Sequence, residues 1–209
     1  DKMNSLLNIF NGTDMLIAAH CEDQETIKNN IEKYKQKYKG ADDIPVSAHP
    51  SIRSVPACYA SSELAVRLAK IAGARLHILH VSTAKELQLF SDEPLASKNI
   101  TAEACVAHLL FTLTHYNSLG TRIKCNPAVK RKTDREALRA AVNSGLIDVI
   151  ATDHAPHLLN EKEGGALKAM SGMPMIQFSL VSMLELVDKG VFSLETVVQK
   201  MCHAPARIY

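Results

Sequence analysis

The chain has 209 residues, 46% of them hydrophobic and 22% charged, and a formal net charge of +2. That composition is ordinary for a globular protein, and the length allows one sizeable core or part of a larger domain. So small a net charge argues for neither nucleic acid nor a membrane surface as partner, and no apolar run reaches the roughly 20 residues that a membrane span needs.

In chain order, residues 15–19 are short and continuously apolar, the mark of a buried strand. After His20 and Cys21, residues 22–39 carry Ile27, Ile31, Tyr34 and Tyr38 at helical spacing. Acids lead this segment, lysines crowd its last turns and Gly40 closes it, as expected of a helix. Residues 41–55, with Pro45 and Pro50, read as a loop. Pro56 suits the first turn of a second helix running through Leu64, Leu68 and Ile71 to Gly73. Residues 75–81 read as the next strand, 83–90 as a short helix, 99–106 as a strand, and 122–125 as an extended piece entering Asn126-Pro127. Thr133-Asp-Arg-Glu136 has the form of a capping box, so a helix is expected to residue 143, stopped by Gly145. Residues 146–152 form the last strand, 160–172 a polar loop, and 174–189 and 193–203 two closing helices. Strands alternating with helices imply a parallel sheet with covering helices, and nothing resembling a linker or repeat divides the chain, so residues 1–209 read as one α/β domain.

Three of the apolar runs stop on residues of metal-ligand type: His20, His80 and Asp153. In a (β/α)8 barrel the C-terminal strand ends converge on one site, and two imidazoles plus a carboxylate make an ordinary catalytic zinc shell that leaves room for water. His77 and His80 are three residues apart, so on a regular strand they point to opposite faces. His80 lies nearer the strand end, and His77 is expected to be a packed histidine. Lone histidines at strand ends are commonly structural, and spacing alone leaves that reading open beside the metal one.

The segment Ala151-Thr-Asp-His-Ala-Pro-His157, trailed by Lys162, resembles a signature of the dihydroorotases in the amidohydrolase superfamily. Ala19-His-Cys-Glu-Asp23, His80-Val-Ser-Thr83 and Cys125-Asn-Pro127 are similar to further family motifs, in family order. The resemblance implies a TIM barrel of the metal-dependent hydrolase type with two zinc ions. His20 and His80 would be ligands of one zinc, and Asp153 a ligand of the other as well as the catalytic base and acid. Asn126 and His157 would be the substrate-binding residues. It implies a hydrolase acting on cyclic amides, interconverting dihydroorotate and N-carbamoyl-L-aspartate in pyrimidine biosynthesis. A hydantoinase or allantoinase type of cyclic amidase is the nearest enzymatic alternative, and a non-catalytic scaffold partnering aspartate transcarbamoylase the non-enzymatic one. A homodimer is the other assembly the family suggests.

The chain also departs from the family pattern. It holds no His-x-His pair, the arginine that follows that pair is missing with it, and the closing C-terminal segment is absent. The chain is therefore expected to cover about strands five to eight of a barrel and, as a half barrel with open edges, to be unstable and inactive alone.

Other residues have plainer readings. The five cysteines (Cys21, Cys58, Cys105, Cys125, Cys202) are odd in number and never paired as Cys-x-x-Cys, which fits reduced thiols in the cytoplasm. The opening Asp1-Lys-Met-Asn-Ser lacks the form of a signal peptide. Cys21 and Cys105 are expected to be buried fillers, His108 and His115 to pack or face solvent, and His49 and Arg53 to anchor a loop or approach the site mouth. His154 is expected to pack in its loop or support a ligand, and Glu103 is a candidate to stand behind a metal ligand.

Overall fold

The computed structural model describes residues 2–209. Helix α1 (Lys2–Asn11) precedes β1 (Ile17–Ala19), α2 (Gln24–Lys37), α3 (His49–Ile52), α4 (Val55–Ala72) and β2 (Leu76–Ile78). Then come β3 (Ile100–Cys105), α5 (Val106–Leu110), α6 (Tyr116–Leu119), α7 (Lys132–Ser144) and β4 (Val149–Ala151). The chain closes with α8 (Ile176–Asp188), α9 (Leu194–Val198), a π-helical turn at Gln199–His203 and α10 (Ala204–Ile208). The four strands pair in parallel in the order β1-β2-β3-β4. The alternation of strand and helix expected from the sequence is therefore present.

The elements form for local reasons. Asp23 caps α2 by accepting from the Thr26 amide at 2.8 Å. Ser54 caps α4, proline occupies its first turn, and Gly73 ends it at φ 65, a left-handed conformation that costs glycine little. Leu76, His77 and Ile78 of β2 are all buried, as are five of the six residues of β3, so the sheet centre is the core. Burying Leu76 and Ile78 contributes roughly 1.5–3 kcal/mol each. By contrast β1 is an edge strand, with Ala18 exposed. Helix α8 turns Ile176, Leu180, Val181 and Leu184 to solvent, the spacing of one helical face. No described helix is long and apolar enough to cross a membrane.

Several expected elements differ. Residues 120–123 form a 3-10 helix (Gly120–Ile123) where an extended piece was expected. The short helix expected at 83–90 is a single 3-10 turn, Glu86–Leu89. Within the expected loop 41–55, residues Val46–Ala48 and His49–Ile52 are helical. Residues 2–11, given no structure from the sequence, form α1, whose Phe10 is buried in the main core. The expected capping box is displaced as well. Helix α7 begins at Lys132, and Asp134 rather than Glu136 reaches back, its Oδ2 accepting from the Arg131 amide at 3.2 Å. Its Oδ1 accepts from the Ala84 amide at 3.0 Å, a tertiary contact that local pattern does not encode.

One buried ion pair sets the register of the last strand. Lys98 Nζ lies 2.8 Å from Asp148 Oδ1, both side chains almost fully enclosed, and also donates to the Gly145 carbonyl at 2.7 Å. Asp148 Oδ2 accepts from the Ala102 amide at 3.0 Å, tying the start of β4 to β3. Removing one partner leaves an uncompensated buried charge, so Lys98→Met should destabilise by about 3–5 kcal/mol. Urea unfolding followed by circular dichroism checks this; a midpoint within error of the parent would show that the pair contributes nothing.

Candidate active site

His20 directly follows β1, and His80 and Asp153 lie just beyond the last residues of β2 and β4. All three are thus delivered to the same edge of the parallel sheet. His80 and Asp153 are the non-glycine residues with positive φ among those described, at 38° and 45°. Each turns sharply where its strand ends, and non-glycine residues held in this region concentrate at functional sites. The turn also ends the strict alternation on which the contrast between His77 and His80 rested.

His20 and His80 meet. His20 Nδ1 lies 2.8 Å from His80 Nε2, with the rings edge to face at a centroid distance of 4.6 Å. His80 is buried and its Nδ1 has no hydrogen-bond partner. Burial first, and then the neighbouring His20, pushes the His80 pKa below the ordinary imidazole range, while the charges of Asp153 and Glu103 pull the other way. The ring is therefore neutral near pH 7, the state in which histidine binds metals.

Glu103 of β3 supports this pair from behind. Its Oε2 lies 3.2 Å from His77 Nε2, and its Oε1 accepts from the His80 amide at 3.2 Å. His77 Nδ1 in turn lies 2.7 Å from Thr101 Oγ1. His77 is thus a fully buried, bonded histidine, as expected. Glu22, to which the sequence assigned no role of its own, also lies at the site, and Arg53, expected to anchor a loop or approach the site mouth, reaches it. Glu22 Oε2 lies 3.2 Å from His20 Nε2, and Arg53 Nη1 donates to the same oxygen. The signal was present in His20-Cys-Glu22, which places a carboxylate two residues beyond the candidate ligand.

Asn126 follows a buried Cys125 and precedes a cis peptide bond to Pro127. Two buried histidines grip the carbonyls on either side of it. His49 Nε2 donates to Cys125 O and His108 Nε2 to Pro127 O, each at 2.9 Å. The Asn126 Oδ1 is buried and makes no hydrogen bond. His157 Nε2 donates to Ser171 O at 3.2 Å, and its Nδ1 lies 3.6 Å from Glu161 Oε2. Lys162, buried, spans the two segments by donating to the carbonyls of Lys124, Met170 and Gly172. A side chain on Gly172 would meet the Ala155 carbonyl at 2.5 Å, so only glycine fits there. His154 Nδ1 accepts from the Ile176 amide at 3.1 Å at the start of α8, a loop-packing role.

The structure therefore brings His20 and His80 into contact and fastens Asn126 and His157 to one loop system. Asp153 is exposed at the end of β4, near enough for its charge to act on His80. Among the described residues no three His, Cys, Asp or Glu side chains form a ready metal cluster. Two neutral imidazoles are donor types that suit zinc. Two nitrogens sharing a tetrahedral zinc at about 2.0–2.1 Å lie roughly 3.4 Å apart, and the observed pair is in direct contact at 2.8 Å, so the rings would have to part by roughly 0.6 Å to admit the ion. The thiols do not compete for this role. Burial pushes Cys21 up to about 11 and Cys125 up to about 12, which keeps them protonated fillers.

The amidohydrolase family model matches residues 1–209. The chain belongs to the amidohydrolase family. It is 34% identical over 196 residues to a dihydroorotase of Endomicrobium trichonymphae, covering 92% of this chain and 44% of that relative. With a dihydroorotase of Syntrophus aciditrophicus it shares 29% identity over 208 residues, 99% of this chain and 47% of the relative. The L-hydantoinase of Arthrobacter aurescens superposes with a TM-score of 0.89 at 28% identity, covering 99% of this chain and 46% of that one. A D-hydantoinase at 20% identity, with a TM-score of 0.88 over 99% of this chain and 47% of its own, shares the fold. These neighbours place the parallel sheet within a TIM-barrel type of fold. The chain spans a little under half the length of the curated relatives it matches.

The two histidines beside Asn126 should make the fold acid-labile. Burial above all lowers the pKa of His49 to about 3 and of His108 to about 4, from 6.5. The folded state refuses protons that the unfolded chain accepts, so stability is full above pH 6.5 and is lost as pH falls toward those values. By pH 5 each ring should cost about 2 kcal/mol. Thermal melts at pH 7.5 and 5.0 check this, with His49→Gln narrowing the difference; an unchanged difference would remove His49 from the account.

Proposed function

We propose that this chain supplies strands five to eight of a barrel, and that the longer protein is a zinc-dependent cyclic amide hydrolase. The reaction is the interconversion of dihydroorotate and N-carbamoyl-L-aspartate, a step of pyrimidine biosynthesis, in the cytoplasm. The observation that carries the reading is the His20–His80 contact at adjoining strand ends, nitrogen to nitrogen at 2.8 Å. The exposed edge strand β1 and the exposed apolar face of α8 support the half-barrel part, because both are surfaces that a closed barrel covers.

The roles follow from the chemistry of each group. His20 and His80 would hold one zinc through Nδ1 and Nε2, and Asp153 would contribute its carboxylate to a second. Zinc held there would supply Lewis acidity, to polarise an amide carbonyl and make water nucleophilic near neutral pH. Asp153 takes the proton from the attacking water and returns it to the departing ring nitrogen, so its carboxylate must be accessible and mobile. Its exposure suits that work. Asn126, whose Oδ1 has no other partner, and His157 orient the ring and its carboxylate. Their loops are clamped by Lys162, His49 and His108, which fixes that geometry before substrate arrives.

A hydantoin ring is the second reading, favoured by the superposition on the L-hydantoinase. Parallel assays of the longer protein with dihydroorotate and with a 5-substituted hydantoin separate the two. The dihydroorotase reading expects the first to be turned over at least tenfold faster. Asp153→Asn should lower kcat by a factor of about 10² to 10⁴ and leave the melting temperature nearly unchanged. Wild-type turnover in that variant would refute the assignment of the base. The 209-residue chain alone should bind zinc weakly and show no turnover; a robust rate from it would overturn the half-barrel part.

A further inference from the structure

Residues 158–172, between β4 and α8, fold back on themselves, with the Met170 amide donating to the Glu161 carbonyl at 2.9 Å. A compact loop of this kind is joined at its base, and its tip needs a partner elsewhere. The tip finds one in Asp43, 122 to 125 residues away in the chain. Asp43 Oδ2 accepts from the Gly165 and Lys168 amides at 2.7 and 3.1 Å, and Oδ1 from the Leu167 amide at 3.1 Å. Between them the Ala166 amide donates to the Ile44 carbonyl at 2.6 Å. Four consecutive amides of the tip are thus taken up by Asp43 and Ile44. Hydrogen bonds to a carboxylate are roughly twice as strong as neutral ones, and a cluster of amides is a natural seat for one. The approach is also close. A Cβ on Gly165 would lie 2.1 Å from the Ile44 carbonyl oxygen, a distance that real Cβ atoms do not reach. The neighbouring Lys168–Asp42 ion pair adds little, because the Asp42 side chain is 94% exposed and solvent screens it.

The tip shapes the space beside Asn126. A cavity of about 360 Å³ lies there, lined by Ile52, Arg53, Lys124 and Asn126 together with Leu167 and Met170 of the loop. The same loop presents the Ser171 carbonyl that holds His157 Nε2 at 3.2 Å. Lys124 and Lys162 fix the base of the loop through the carbonyls of Ala169, Met170 and Gly172. The base and the tip are therefore held by different groups, and the tip is held through Asp43.

We infer that Asp43 is a positioning residue, which latches the loop 158–172 as a lid against the cavity beside Asn126 and so sets the wall that a bound ring meets. The latch part stands on the hydrogen bonds alone; the substrate part rests on the function proposed above. Asp43 acts through the loop and not on the reacting atoms, so its loss changes binding rather than chemistry and raises KM more than it lowers kcat.

Amide hydrogen exchange, read residue by residue by NMR at pH 7 in this chain, compares the parent with Asp43→Ala and Gly165→Ala. The parent should protect the amides of Leu167 and Lys168. Asp43→Ala should speed their exchange by about tenfold or more, and Gly165→Ala, which forces the same contact apart from the loop side, should do likewise. The amides of β3 should keep their parental rates. Unprotected tip amides in the parent, or unchanged rates in Asp43→Ala, would overturn the latch. So would an equal acceleration in β3, the sign that Asp43 stabilises the whole fold and not the lid. In the longer protein, Asp43→Ala should raise KM for the ring that is turned over by about tenfold while kcat stays within about twofold. A KM within error of the parent would overturn the substrate part. Should the longer protein turn over neither ring, the function proposed above falls and the substrate part with it, while the exchange rates still decide the latch.

Discussion

The carboxylate of Glu103 holds together the edge on which everything else depends. It lies on the central strand β3 and is buried, so both of its oxygens must find partners. One meets His77 in the middle of β2 and the other meets the amide of His80, beyond the end of that strand. A single side chain thus fixes where β2 stops and where the chain turns at His80, whose φ of 38° no regular strand supports. The His20–His80 contact follows from that turn, since His20 arrives on the neighbouring strand in register.

Around this edge the protein uses buried, ordinarily charged groups as clamps. Lys162 grips three carbonyls, His49 and His108 grip the carbonyls flanking Asn126, and Lys98 with Asp148 anchors the start of β4. Each clamp joins segments far apart in the chain. Such groups add little net stability when fully paired and cost much when one partner is lost. Their value lies in specifying one arrangement of the loops that carry Asn126 and His157. The motifs of the chain divide the same labour. In His20-Cys-Glu-Asp23 the first residue faces the site, the second fills the core, the third holds the first, and the fourth caps a helix.

Much of this was legible in the residues. Apolar runs ending on His20, His80 and Asp153 announce strands that deliver polar groups to one edge, because a buried strand tolerates such residues only at its end. Gly73 and Gly145 end their helices at positive φ as expected, whereas α2 ends earlier, at Lys37 with Tyr38 as its cap, and Gly40 turns the chain beyond it. The failures have a common cause. The capping role of Asp134, the 3-10 helix at 120–123 and the hidden helix α1 each depend on a partner distant in sequence or on packing against the core.

Sequence by itself determined the strand–helix alternation, the family resemblance and the identity of the residues at the strand ends, since these rest on periodicity and on motifs read along the chain. Only the tertiary structure decided which of those residues touch. It joined His20 to His80, turned the backbone at Asp153, and enclosed Glu22 behind His20 with Arg53 against it. The physical reason is that a buried polar atom must be satisfied by whatever the fold brings near it. That neighbour is set by strand register and crossover, not by position along the chain.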